Sequence, residues 1–242
     1  FPRGGSDITG SLAAAALHAD VYENWTDVPG ILAADPKIVK RPAPIETLSY
    51  PELQLLSAAG TQVLHESAVA PVRERQIPLH IRSTRIGFDA PASLSASGVI
   101  GFAGRRPVSM LRVIFPENTE ETALWEVRAC LNEHRVETFH SACGVEGLCL
   151  LLSSGAEADA LHAAAEQLRE HFSGAQVKLR ENLAVLLALC RSTKDIPKLS
   201  AAIEASGAPV HHLVQTPPGA MFCVNDSQYE QALRAAYGAA FA

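Results

Sequence analysis

The chain has 242 residues, 48% apolar and 19% charged, with a formal net charge of −6. That length suits one large domain or two to three small ones, and the apolar content is ordinary for a globular protein. With no basic run and no apolar segment of bilayer length, nucleic acid and membranes are not expected partners. Cys130, Cys143, Cys149, Cys190 and Cys223 are scattered without a Cys-x-x-Cys pair. Reduced, mostly buried thiols are therefore expected, not disulfides, metal ligands or a catalytic thiol. The N-terminus lacks the charged-then-apolar build of a signal peptide, and the scattered thiols make the cytoplasm the expected compartment.

The first candidate site is Arg3-Gly4-Gly5-Ser6-Asp7. Adjacent glycines let the backbone approach a ligand closely, and the Arg3 guanidinium can hold a carboxylate or phosphate through paired hydrogen bonds. Ser6 and Asp7 stand at the start of a helical run, Ile8 to Ala19, whose free N–H groups favour anions. Taken alone, the same residues also fit a turn followed by an N-cap. Asp20 to Trp25 then alternates as a short strand running into Thr26, and Val28-Pro29-Gly30 reads as a turn. Thr26 and Asp27 thus fall just past a strand's C-terminal end, where open α/β sheets bind ligands. The Asp35-Pro36-Lys37 loop adds a lysine able to neutralise phosphate as a point charge.

Pro42 and Pro44 mark an extended connector, and Ile45 to Ser49 is expected to form a short strand. Pro51 to Ala59 reads as a helix with Leu53 and Leu56 on one face, capped by Gly60. Gln62-Val63-Leu64-His65 leads into a second helix, Ser67 to Arg75, and Ile77 to Ser83 alternates as a half-buried strand should. Arg85 to Gly98 has the Gly, Pro, Ser and Ala content of a linker. Beyond it a strand (Val108–Phe115), helix (Glu120–His134), two strands (Val136–Cys143, Gly147–Ser153) and helix (Ala156–Phe172) are predicted. The order recurs as Leu183–Cys190, Ile196–Ser206, Val210–Gln215, Ala220–Val224 and Ser227–Tyr237. Two βαββα repeats imply an α+β fold with helices on one face of an antiparallel sheet.

Arg3-Gly4-Gly5-Ser6-Asp7, Trp25-Thr26-Asp27-Val28-Pro29-Gly30, Asp35-Pro36, and Val63-Leu64-His65 after Gly60, in this order, resemble the aspartate kinases of the amino-acid kinase family. The double repeat, with its lead-in Gly98 to Arg106, resembles the tandem ACT domains of that group. The resemblance implies an α/β fold, part of a three-layer α/β/α amino-acid kinase domain, followed by α+β ferredoxin-like ACT repeats. It divides the chain into a kinase segment (1–88), a linker (89–98) and ACT-like domains at 99–180 and 181–242. The implied reaction is ATP-dependent phosphorylation of the L-aspartate side chain to 4-phospho-L-aspartate, the first step toward lysine, threonine and methionine.

By the same resemblance, Arg3, Gly4, Gly5 and Ser6 bind substrate and Asp7 orients or polarises the attacking carboxylate. Thr26, Asp27, Gly30, Asp35, Pro36, Lys37, Gln62 and Val63 contact ATP, and Mg2+ arrives with the nucleotide. No zinc spacing or protein-held metal site is expected. Departures from the family are Lys37 in place of the frequent arginine, Leu32 in place of tyrosine and Gln62 in place of lysine. The family's Lys-x-Gly-Gly-Ser/Thr motif is absent, so the chain is expected to be the C-terminal portion of a longer protein and inactive alone. Homodimers or larger assemblies through the ACT pair are implied, as is an amino-acid effector, lysine or threonine. The turns Pro116–Thr119 and Arg191–Pro197 hold no glycine, which argues against backbone contact with that effector. Two other readings stay open: a non-catalytic ACT-type regulatory or dimerisation subunit that binds an amino acid, and a kinase acting on glutamate or a related acid.

Overall fold

The computed structural model describes residues 5–27, 30–59, 66–83, 98–116, 123–144, 147–153 and 158–241. In chain order its elements are α1 (Gly5–Ala16), β1 (Tyr22–Thr26), α2 (Tyr50–Ala58), α3 (Val69–Glu74), β2 (Leu79–Ser83) and β3 (Val99–Ile114). There follow α4 (Ala123–Glu133), β4 (Thr138–Gly144), β5 (Gly147–Ser153), α5 (Ala158–His171) and β6 (Gln176–Cys190). The last four are α6 (Ile196–Ala205), β7 (His212–Thr216), β8 (Gly219–Asn225) and α7 (Tyr229–Phe241). None of these helices is long and apolar enough to cross a membrane. Packing groups the chain into two compact units, one of Phe1–Gly104, Leu186–Val224 and Gln228–Ala242, the other of Arg105–Val185 and Asn225–Ser227.

In the first unit β1 and β2 form a parallel pair, in register from Tyr22 opposite Leu79 to Thr26 opposite Ser83. Parallel strands need a crossover, and α2 and α3 lie within it. Ala14 of α1 packs with Val72 and Ile77, with Ala19, Tyr22 and Tyr50 at the edge of that cluster. α2 begins at a capping box: the Glu52 N–H donates to the Ser49 hydroxyl, and the Ser49 N–H donates to the Glu52 carboxylate. Later in the same unit the strand order is β3-β6-β8-β7, with β7 and β8 antiparallel. Leu186, Leu187 and Leu189 of β6 and Phe222 of β8 are fully buried.

In the second unit the order is β4-β5-β3-β6, with β5 antiparallel to both β3 and β4. Leu111, Val113, Leu148, Leu150 and Leu152 point from the sheet into one core. Val127 and Leu131 of α4 and Leu161, Ala164 and Leu168 of α5 close that core from the helix side. Both βαββα repeats are therefore present.

Several boundaries differ from expectation. α1 starts at Gly5, so Ser6 and Asp7 lie within its first turn. Ile45 to Ser49 is not a strand: that stretch leads into the α2 cap, and the nearest ladder element is an isolated bridge between Leu32 and Pro44. β3 begins at Val99, absorbing the lead-in segment, and β6 begins at Gln176. The Val28-Pro29 turn, the Gly60 cap and most of the linker lie outside the described residues.

Candidate functional site

α1 precedes β1 and packs back along it, and its contacts fix its direction. Near the middle of α1, a Cβ added to Gly10 would stand 2.6 Å from the Tyr22 hydroxyl. One turn earlier, Asp7 Oδ1 accepts a hydrogen bond from Asn24 Nδ2 at 3.2 Å. Ala14, further along the helix, packs with Ile77 just before β2 begins opposite Tyr22, so moving back along the helix to Asp7 means moving forward along the strand to Asn24. The N-terminus of α1 faces the same way as the C-terminal ends of the parallel strands, with Thr26 and Asp27 just beyond Asn24. A helix N-terminus beside strand C-termini gathers free N–H groups at one edge, the arrangement that suits an anionic ligand.

Asp7 sits in the first helical turn, where a carboxylate complements the helix dipole. The Tyr22 hydroxyl donates to the Asp7 carbonyl oxygen at 3.2 Å and accepts from Asn24 Nδ2 at 3.4 Å. Asn24 is only 9% exposed. Burial pushes the Tyr22 phenol up; the Asn24 hydrogen bond opposes this and the Asp7 charge adds to it. Gly5 is also in the first turn, its carbonyl accepting from the Thr9 hydroxyl at 2.8 Å. Thr26 Oγ1 lies 3.5 Å from Asp27 Oδ1.

Asp35, Pro36 and Lys37 occupy a separate loop. Its neck is closed by Ala33 N–H donating to Ala43 O at 2.7 Å and Ile45 N–H to Ile31 O at 2.8 Å. The Lys37 N–H donates to Asp35 Oδ1 at 2.9 Å, and the Ile38 and Val39 N–H groups both reach Asp35 O. From α7, the Tyr237 hydroxyl accepts the Ala43 N–H at 2.9 Å and Arg234 Nε donates to Ile38 O at 3.1 Å. The loop is thus held at neck and flank while the Lys37 side chain stays exposed.

A cavity of about 600 Å³ lies between Pro44–Leu48 and the β2 region, with Gly30 on its wall. Its ionisable side chains include Glu46, His80 and Arg82. Arg82 Nε pairs with Glu23 at 3.1 Å. One wall is anchored by the buried Glu52 carboxylate, which accepts from Arg191 Nε at 3.0 Å. Burial alone would raise the Glu52 pKa, but the bonds from Arg191 and Ser49 and the Arg191 charge hold it below the usual carboxylate range. Among the described residues no group of three or more His, Cys, Asp or Glu is placed to hold a metal ion.

Of the sequence-predicted residues, Gly5, Ser6 and Asp7 share the α1 first turn, and Asp7 is joined to the strand that carries Thr26. Gly30 lines the cavity, Asp35–Lys37 stand on their own loop, and Arg3, Gly4, Gln62 and Val63 lie outside the described residues. Tyr22 and Asn24 were not read as site residues. The available signal was a buried-face amide two residues after a tyrosine in a five-residue strand.

Residues 1–83 match the profile of the Amino acid kinase family. Aspartokinase 3 of Bacillus subtilis (strain 168) is 26% identical over 263 residues, covering 100% of this chain and 56% of the relative. A solved Clostridium acetobutylicum aspartate kinase aligns with a TM-score of 0.81 at 26% identity, over 100% of this chain and 59% of that one. E. coli aspartokinase III, solved with aspartate and ADP, aligns with a TM-score of 0.78 at 22% identity, a likeness of fold, over 99% of this chain and 56% of that one. The chain therefore spans about half the length of the relatives it matches. Its fold is an α/β segment of amino-acid kinase type followed by ACT-like repeats.

Proposed function

We propose that this chain is the part of an aspartokinase that holds aspartate and nucleotide motifs together with a tandem ACT unit. The reaction is phosphoryl transfer from ATP to the side-chain carboxylate of L-aspartate, giving 4-phospho-L-aspartate. The observation that supports it is the placement of Asp7, in a helix N-terminus, beside the strand whose C-terminal end carries Thr26 and Asp27. Phosphoryl transfer depends on positioning and charge neutralisation more than on covalent chemistry by the protein. Arg3, Gly4, Gly5 and Ser6 hold the substrate, and Asp7 orients its reacting carboxylate. Thr26, Asp27, Gly30, Asp35, Pro36, Lys37, Gln62 and Val63 serve the nucleotide, with Lys37 neutralising phosphate. The donor set, an exposed ammonium with hydroxyls and backbone N–H groups, fits a nucleotide whose Mg2+ is held by phosphate and water.

In this reading the kinase segment is 1–88, the linker 89–98, and the ACT-like domains 99–180 and 181–242. The ACT pair mediates self-association and takes lysine or threonine as effector, and the protein works in the cytoplasm. The test is aspartate-dependent ADP release by the gene product that carries this chain, beside its Asp7→Asn variant. Activity that collapses in the variant is expected; a folded product inactive with aspartate refutes the proposal. The 242-residue chain alone is expected to be inactive, and ADP release by it would refute that part. A second reading, a non-catalytic ACT-type regulatory or dimerisation unit, rests on the two complete βαββα repeats. A saturable thermal shift with lysine, threonine or methionine, without turnover, would favour it.

A further inference from the structure

A buried amide inside a strand has to be explained. Asparagine is disfavoured in strands, and burying its side chain is costly unless its polar atoms find partners. Asn24 Nδ2 spends its donors on Asp7 Oδ1 at 3.2 Å and on the Tyr22 hydroxyl oxygen at 3.4 Å. The single Tyr22 proton goes to the Asp7 carbonyl oxygen at 3.2 Å. The three residues form a closed ring that grips Asp7 twice, through its carboxylate and through its backbone. We infer that Asn24 and Tyr22 are positioning residues that fix the Asp7 carboxylate for the reacting centre.

This rests on the proposed role of Asp7. The ring is built for that task rather than for packing alone. A helix can be seated on a strand by apolar contact, as Ala14 is seated in its cluster. The side-chain bond from Asn24 adds something different, because it favours one orientation of the Asp7 carboxylate in the first helical turn. Misplacing a reacting or orienting group by about 1 Å can cost on the order of 100-fold in rate.

The test pairs kinetics with spectroscopy. In the gene product that carries this chain, Tyr22→Phe removes one hydroxyl and Asn24→Leu removes the amide. Each should lower kcat about 10–100-fold, scaled from the cost of misplacement. In an Asp7→Asn background neither should lower it further, since both act through Asp7. In the 242-residue chain, 13C NMR of labelled tyrosine follows the Tyr22 titration. Asn24→Leu should move it up, by removing a donor to the phenolate, and Asp7→Asn should move it down, by removing a negative charge. Unchanged kcat in Tyr22→Phe, or additive losses with Asp7→Asn, would overturn the inference. If the wild-type gene product does not phosphorylate aspartate, the functional reading falls by itself. The titration then decides the ring: opposite shifts support it, and no shift in either variant overturns it.

Discussion

Gly10 is the position at which the ring can be broken without touching any of its members. It lies inside α1, where replacing glycine by alanine ordinarily gains about 0.4–1 kcal/mol by restricting the unfolded chain. Here the added methyl would stand 2.6 Å from the Tyr22 hydroxyl oxygen and 3.0 and 3.1 Å from two ring carbons, against an ordinary contact beginning at 3.4 Å. The hydroxyl must withdraw, and its two hydrogen bonds already span 3.2 and 3.4 Å. Losing both costs about 1–3 kcal/mol at the usual net worth of a hydrogen bond. Gly10→Ala should therefore be destabilising by about 0–2.6 kcal/mol, the helix gain set against the lost bonds.

Gly238 supplies the control, because it sits inside α7 with nothing within 4 Å of an added Cβ. Gly238→Ala should be stabilising by about 0.4–1 kcal/mol. Urea denaturation of the two variants beside the wild type reads the difference, and the Tyr22 13C resonance reports whether the hydroxyl moved. A Gly10→Ala chain as stabilised as Gly238→Ala, with the Tyr22 resonance unmoved, would refute the reasoning.

Three further outcomes follow from the packing and the charges. Glu52→Gln should cost about 1–2 kcal/mol at neutral pH, below the usual worth of a charged hydrogen bond because the Arg191 side chain is 59% exposed. Since the folded-state pKa of Glu52 is lowered, its contribution is complete above the ordinary glutamate pKa and is lost as pH falls through the folded value. The acid side of a stability–pH profile should therefore be shallower in Glu52→Gln than in the wild type, and identical slopes would contradict the pairing. Leu186→Ala, at a fully buried position of β6, should cost about 2–5 kcal/mol by transfer loss and cavity formation, measured by the same denaturation. In thiol labelling of the native chain, exposed Cys143 should react first, while burial pushes the Cys190 thiol up to about 11 and leaves it slow. A fast phase that survives Cys143→Ser would show that the wrong thiol was named.

How far the chain could be read depended on whether each signal was local. Gly147–Ser153 was predicted with the boundaries observed, because an apolar run between turn residues leaves little choice of structure. β3 was read too short for the opposite reason. Gly101 and Gly104 look like loop residues, yet in the strand they mark close approach by other segments. A Cβ at Gly101 would meet the Ala33 backbone at 3.1 Å, and one at Gly104 would fall on the Tyr229 side chain. β6 was begun late because Lys178, Arg180 and Glu181 look like a surface run, although Val177 and Leu179 alternate with them into the core cluster. Ile45 to Ser49 looked like a strand because its residue types permit one, but the reciprocal bonds of Ser49 and Glu52 commit its end to a helix cap.

The candidate site divides along the same line. Asp7, Thr26 and Asp27 were legible because short motifs carry them. Asn24 was not, because its importance comes from a hydrogen bond to a residue 17 positions away. Gly10 was not, because what makes it necessary is a tyrosine that only the fold brings over it. Gly10, Tyr22 and Asn24 are intelligible only together: the missing Cβ admits the hydroxyl, the amide donates to that hydroxyl, and both donate to Asp7. Residues joined in this way should fail together and not additively, which is why the double variants with Asp7→Asn discriminate where single substitutions cannot.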